Sequence, residues 1–191
     1  MREPLENNSI KINRMYSSVS YPCNFMFIAS MNPCPCGYYG SPRKKCECKP
    51  YQIRNYINRV SGPLIDRIDI HIEVNEVKYD DLNNNQKPET SRKIRERVNL
   101  ARKIQIERYK EYNIFSNSGL NVKMIEKFCK LNKNSQKLLK EAYERLNLSA
   151  RAYTRILKVA RTIADLDFSE NISEEHILEA IHYRSLDRKY R

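Results

Sequence analysis

The stretch SARAYTRILKVARTI, Ser149 to Ile163, sets Ala152, Ile156, Val159 and Ile163 at intervals of four, three and four. That is the period of one apolar helix face, and Ser149 stands where an N-cap side chain accepts a backbone N–H left free by the first turn. Arg151, Arg155 and Lys158 fall on the opposite side at matching intervals. A basic stripe is ordinarily the wet side of an amphipathic helix, but this helix is so apolar elsewhere that its polar face must be narrow. Working outward, Leu138, Leu139, Ala142, Tyr143 and Leu146 mark a preceding helix, and Val122, Ile125, Phe128 and Cys129 a shorter one before that. Ile94, Val98 and Ala101 begin another stripe, which Tyr109 and Tyr112 extend toward Asn113, with Gly119 in the following loop. Ser173, followed by Glu174 and Glu175, opens a last helix, because early carboxylates favour a helix N-terminus. The spacing therefore predicts a five-helix bundle over residues 91–191.

Upstream the period changes. Ile10 and Ile12, then Val19 and Tyr21, alternate on either side of Asn13 to Ser18 as in a hairpin. Phe25 to Ser30 is a short apolar run of the buried-strand kind, and Ile68, Ile70, Ile72 and Val74 alternate with Asp69, His71 and Glu73 as a further strand. A short helix is expected over Tyr51 to Val60. The polar stretch NNNQKPET, residues 83–90, reads as a linker. The expected architecture is an α/β unit over 1–82, a linker over 83–90 and an all-α unit over 91–191.

The chain has 191 residues, of which 40% are apolar, enough for a sizeable core, and carries a net charge of +12. The charge is uneven: residues 1–89 hold 12 Lys/Arg against 10 Asp/Glu, whereas residues 90–191 hold 23 against 13. Such a balance favours an anionic partner, nucleic acid or nucleotide, with a merely solvated basic surface as the plainer alternative. Only Gly37, Gly40, Gly62 and Gly119 occur, and none lies in a GxxxxGK[ST] or GxGxxG pattern. A complete P-loop ATPase is thereby excluded. Apolar runs fall far short of the roughly 20 residues of a spanning helix, and Met1 is followed by Arg2, Glu3, Pro4 and Glu6 rather than a secretory apolar stretch. The expected setting is the cytoplasm, without membrane contact.

Cys34-Pro-Cys36 and Cys46-Glu-Cys48 place four thiols within fifteen residues, on a segment that also holds Pro35, Pro42, Pro50, Gly37 and Gly40. In a reducing compartment four clustered thiolates fit a tetrahedral zinc, and four protein ligands leave no open position for water. Arg43, Lys44 and Lys45 would offset the double negative charge of such a centre. Because C-x-C is less usual for zinc than C-x-x-C, two labile disulfides or free thiols stay open as the other reading. Cys23 and Cys129 read as small hydrophobes. His71, His176 and His182 show no triad or metal spacing and read as structural or surface residues.

FMFIASMNPCPCGYYG (Phe25–Gly40), SGPLIDRIDIHIEV (Ser61–Val74), LSARAYTRILKVARTIADL (Leu148–Leu166) and HILEAIHYRSLDR (His176–Arg188) together resemble the C-terminal half of Mg-chelatase-like AAA+ ATPases of the YifB/ComM type. The likeness runs from REPLEN at Arg2 to the end. It implies a partial AAA+ core, with a sensor 1 strand, a zinc loop and an arginine-finger strand, followed by a helical lid. It also implies a hexameric ring that processes DNA, in a helicase-like branch migration of which natural transformation is the best-known setting. Family members carry a Lon-protease-like domain and the Walker A and B segments before the place that Met1 occupies. ATP and Mg²⁺ would therefore be held only with that missing N-terminal half, and this chain alone is expected to be inactive.

The resemblance also assigns residues. Asn32 stands at the place of sensor 1, where a carboxamide orients the attacking water and contacts the γ-phosphate; taken alone, an Asn before Pro33 is more often a turn former. Arg67 matches the arginine finger, which serves the nucleotide of a neighbouring subunit, against an intramolecular pair with Asp66 or Asp69 as the other reading. Arg151 matches sensor 2, and Arg155 shares its face as a second nucleotide contact. Arg14, at the expected hairpin tip with Met15 and Tyr16, is a candidate phosphate contact for DNA. The rival reading is a non-catalytic zinc-containing DNA-binding or adaptor module. A third is the motor subunit of a metal chelatase acting on a protein, against which the cysteine loop speaks.

Overall fold

The computed structural model describes residues 2–74, 76–77 and 88–184. Among these the chain is a mixed α/β protein of eight helices and one two-stranded sheet, dividing into two compact units between Ile68 and Asp69.

In the first unit a short helix, α1 (Arg2–Asn7), stops at Asn8, whose left-handed φ of 50° turns the chain into β1 (Ser9–Arg14). Strand β2 (Ser17–Pro22) returns antiparallel, with Ile10 opposite Tyr21, Ile12 opposite Val19 and Arg14 opposite Ser17. Met15 and Tyr16 are left as the two-residue turn, and Ser18 Oγ donates to Asn13 Oδ1 at 2.7 Å. The hairpin stands where alternation placed it. A two-residue period puts Ile10, Ile12, Val19 and Tyr21 on one face, and all four are exposed. Pro50 opens α2 (Pro50–Ile57), where its missing N–H costs nothing, and the Lys49 N–H is taken up by Gln52 Oε1 at 2.9 Å. A single turn, α3 (Gly62–Ile65), follows.

Two expected strands are not formed. Phe25 to Ser30 makes no ladder, and Met26 and Ile28 are 84% and 80% exposed. Ile68 to Val74 is likewise not a strand, with Ile72 and Val74 exposed. Both have strand composition, but no neighbouring strand among the described residues pairs with either.

The second unit holds α4 (Ser91–Tyr109), α5 (Val122–Phe128), α6 (Lys133–Arg145), α7 (Ala150–Leu166) and α8 (Glu174–His182), the five helices of the expected bundle. Each begins on a capping side chain: Thr90, Asn121, Asn132, Ser149 and Ser173 accept from the N–H of Lys93, Met124, Ser135, Ala152 and His176. Such a cap contributes about 1 kcal/mol. Helix α7 is the centre, packing on α4, α5 and α8 and burying Ala152, Ile156, Ala160, Ile163 and Ala164 against Ile125, Ile177 and Ala180. The stripe on α4 differs from expectation: Ile94 and Val98 are exposed, and burial begins at Ala101 and continues through Gln105 to Tyr109. Of the linker expected over 83–90, residues 83–87 lie outside the described residues. No helix among the described residues is long and apolar enough to cross a membrane.

Candidate metal centre and arginine positions

The Sγ atoms of Cys34, Cys36, Cys46 and Cys48 all lie within 4.8 Å of one another. Cys34 is fully buried, and its sulfur is 3.4 Å from that of Cys36 and 3.7 Å from that of Cys46, which is 3.5 Å from Cys36. These are non-bonded separations, and all six cysteines are free thiols. Four sulfurs at tetrahedral zinc distance stand about 3.8 Å apart. The cluster therefore fits a divalent metal with almost no rearrangement, and it argues against the disulfide reading.

A local turn makes the cluster. The Gly37 N–H donates to the Cys34 carbonyl at 3.0 Å while Gly37 adopts φ 84°, a region that disfavours any side chain. The backbone N–H of Tyr38 lowers Cys36 to about 6, despite some burial. At Cys46 the backbone N–H of Cys48 pulls downward, but burial and the neighbouring sulfurs outweigh it and push the thiol up to about 12. A metal resolves this conflict, since its charge allows all four to ionise. Arg43, Lys44 and Lys45 are exposed between the two pairs, with Lys44 Nζ 4.4 Å from the centroid of the Tyr38 ring. Cys129 is buried in the helical core, where desolvation pushes its thiol up to about 11.

Asn32 is exposed two residues before Cys34, with Nδ2 4.0 Å from where a Cβ on Gly37 would stand. Arg67 follows α3, and its side chain is 10% exposed. It is held by Glu6 of α1, through Nε at 3.0 Å and Nη2, and by the Pro63 carbonyl at 2.6 Å. The intramolecular partner is thus Glu6 rather than Asp66 or Asp69, a pairing across 61 positions that no local signal announces. Arg14 is exposed at the end of β1, beside the Met15–Tyr16 turn.

On α7, eight of seventeen residues are buried, so the polar face is as narrow as the sequence required. Arg151 is exposed in the first turn. Arg155 pairs with Asp69, and Lys158 Nζ donates to the Ser118 carbonyl at 2.9 Å. Burial and the nearby Arg155 charge hold Lys158 below the usual lysine range. Further along, an unexpected polar network locks the helix. The fully buried Asp165 carboxylate accepts from Arg108 at 3.0 Å, from Arg161 Nε at 3.2 Å and from Asn117 Nδ2 at 2.8 Å. Arg161 also donates to the Ser169 and Glu170 carbonyls at 2.6 and 2.7 Å, and Tyr109 OH to Asn117 Oδ1 at 2.6 Å. Arg161 is structural. Of this network only the i,i+4 spacing of Arg161 and Asp165 is visible in sequence. His176 is structural too, as its Nδ1 accepts the Ser173 N–H at 3.0 Å and its Nε2 lies 3.1 Å from Asp167.

The pattern of the magnesium chelatase subunit ChlI family matches residues 1–82, and that of the ChlI C-terminal region matches residues 88–184. Competence protein ComM of Haemophilus influenzae is 42% identical over 189 residues, 98% of this chain and 36% of that protein. The uncharacterized proteins YifB of Salmonella typhimurium and of Escherichia coli are each 38% identical over the same span. The chain thus spans about a third of the length of the curated relatives it matches. On both matches, which together take in nearly all of its residues, the chain belongs to the magnesium chelatase subunit ChlI family, alongside ComM and YifB.

Proposed function

We propose that this chain forms the C-terminal part of the α/β core and the helical lid of a AAA+ ATPase that remodels DNA as a hexameric ring. The observation that carries this reading is the 42% identity, across nearly the whole chain, to a competence protein. In this role Asn32 orients the attacking water, Arg67 crosses to the nucleotide of the adjacent protomer, and Arg151 with Arg155 reaches the nucleotide from the lid. Arg14 contacts DNA phosphates at the hairpin tip. ATP and Mg²⁺ are held by residues in the part of the relatives' length that this chain does not span. The metal is a structural zinc on Cys34, Cys36, Cys46 and Cys48. When bound it closes the loop covalently, and it leaves catalysis to Asn32 and the arginines.

The test uses rings of a full-length protein that contains this chain. Arg67→Ala should lower turnover on the order of 10³-fold, as loss of an arginine finger does, while nucleotide binding survives better than in Arg151→Ala. Mixing Arg67→Ala protomers with protomers lacking the phosphate-loop lysine creates composite sites with an intact pocket and an intact finger. Partial activity in the mixture, absent from either parent, supports action across the interface; a dead mixture of assembled rings overturns it. The rival reading is the non-catalytic DNA-binding module, in which Arg67 and Arg155 stay engaged by Glu6 and Asp69. Salt-sensitive DNA binding by the assembled ring, with no effect of nucleotide, would decide for that rival.

A further inference from the structure

The loop around the metal cluster carries more aromatic surface than a structural clip requires. Tyr39 and Tyr51 are each 56% exposed and Tyr38 37%, so three phenol rings meet water within fourteen residues of chain. The exposed run Arg43-Lys44-Lys45 lies between them, and Lys44 already sits over the Tyr38 ring at 4.4 Å. The sulfurs bring these residues together. Tyr38 is two residues from Cys36 and Tyr51 three from Cys48. At about 3.6 Å per residue their backbones lie within about 7 and 11 Å of those cysteines. With the sulfurs in one cluster, the tyrosines cannot disperse.

We propose that this tyrosine-bearing basic loop is a contact for single-stranded nucleic acid, with the rings stacking on unpaired bases and the cations on phosphates. Exposed rings interleaved with cations are the elements of a strand-tracking surface that ignores sequence, because every base has a π-face. A duplex offers no such faces. A protein partner fits less well, since lysines are depleted from protein–protein interfaces, whereas they are favoured against phosphate. Glu47 is the one acid between Tyr38 and Tyr51. This assignment rests on the reading that nucleic acid is the partner, and it places the contact at the loop in addition to the Arg14 hairpin tip.

The test is fluorescence anisotropy of a labelled oligothymidylate with the zinc-loaded full chain. Tyr39→Ala and Tyr51→Ala should each weaken binding about 5- to 150-fold, and Tyr39→Phe, which keeps the ring, should restore it. Lys44→Ala with Lys45→Ala should lessen the slope of log affinity against log salt by about 1.4. All variants must keep wild-type zinc content and helical circular dichroism. Because the chain has no tryptophan, Tyr39→Trp adds a single reporter, which oligothymidylate should quench and heparin, a polyanion without bases, should not. Wild-type affinity in the tyrosine variants, or equal quenching by heparin, overturns the loop contact and leaves the nucleic-acid reading standing. Failure of the wild-type chain to bind the oligonucleotide at low salt overturns both.

Discussion

Replacing Asp165 with Ala should destabilise the helical unit by about 3–5 kcal/mol, the cost of breaking one side of a buried ion pair. The Asp165 side chain has no exposure, Arg161 has 3% and Arg108 19%. Arg108 can turn its guanidinium to water once the carboxylate is gone. Arg161 cannot, and it keeps only the uncharged Ser169 and Glu170 carbonyls against a buried positive charge. Asn117 loses a partner as well, though Thr162 Oγ1 still accepts from its Nδ2 at 2.9 Å. A unit of this size has about 5–15 kcal/mol in total, so the loss is about a fifth or more of its stability. Urea unfolding followed by far-ultraviolet circular dichroism should show the midpoint fall with an unchanged slope. The triple variant Asp165→Leu, Arg108→Leu, Arg161→Met should lose less than the single one, because no buried charge is then left unpaired. A single-variant loss under about 1 kcal/mol, or a triple variant worse than the single, would refute this account of what holds α7.

Protein purified under reducing conditions should carry one zinc, lost in Cys34→Ser or Cys46→Ser and bound more weakly as pH falls, because protons compete for the thiolates; elemental analysis and a chelator titration across pH measure both. Ser135 Oγ is buried with no hydrogen-bond partner among the described residues, so Ser135→Ala should stabilise the helical unit by up to about 1 kcal/mol, and a loss in urea unfolding would show that the hydroxyl is satisfied after all. Phe168, 59% exposed, follows the α7 C-cap at φ 55°, and Phe168→Gly should gain about 1 kcal/mol by relieving the left-handed strain; a lower thermal midpoint would contradict this.

What the sequence revealed divides along the range of the interactions involved. Helix hydrogen bonds close over four residues, so Ser149, Ser173 and the apolar intervals of α7 sufficed to place the bundle. The hairpin closes over a two-residue turn and was equally legible. The cysteine cluster was legible because two C-x-C pairs lie close in sequence and a glycine turn gathers them. Strands are different: Phe25 to Ser30 and Ile68 to Val74 have the composition but need a partner, and a ladder is a property of two segments. The same holds for Arg67, whose neighbours in sequence are acidic but whose partner is Glu6, and for Asp165, whose second arginine lies 57 positions away. The expectation of a continuous stripe on α4 failed because periodicity marks a face without saying where along the helix burial begins.

The pairs that engage Arg67 and Arg155 do not oppose their proposed roles, once their exposure is taken into account. Asp69 is 52% exposed and Glu6 36%, so each carboxylate is substantially solvated while its arginine is mostly covered. Pairs of this kind contribute about 0–1 kcal/mol, because water replaces the carboxylate almost as well. A nucleotide phosphate offers a guanidinium two parallel charge-assisted bonds and more negative charge than one carboxylate. Release of Glu6 or Asp69 is therefore a small cost against that gain. Meanwhile each pair keeps its arginine in a defined rotamer, which reduces the entropy lost when a phosphate takes over. Asp165 is the contrary case: its carboxylate is fully buried between two arginines, and exchange there would strand a charge without water. On this physical ground Arg108 and Arg161 are fixed parts of the scaffold, whereas the proposed roles of Arg67 and Arg155 require an exchange of partners that the solvated carboxylates permit. Glu6→Gln and Asp69→Asn should accordingly leave stability within about 1 kcal/mol of wild type.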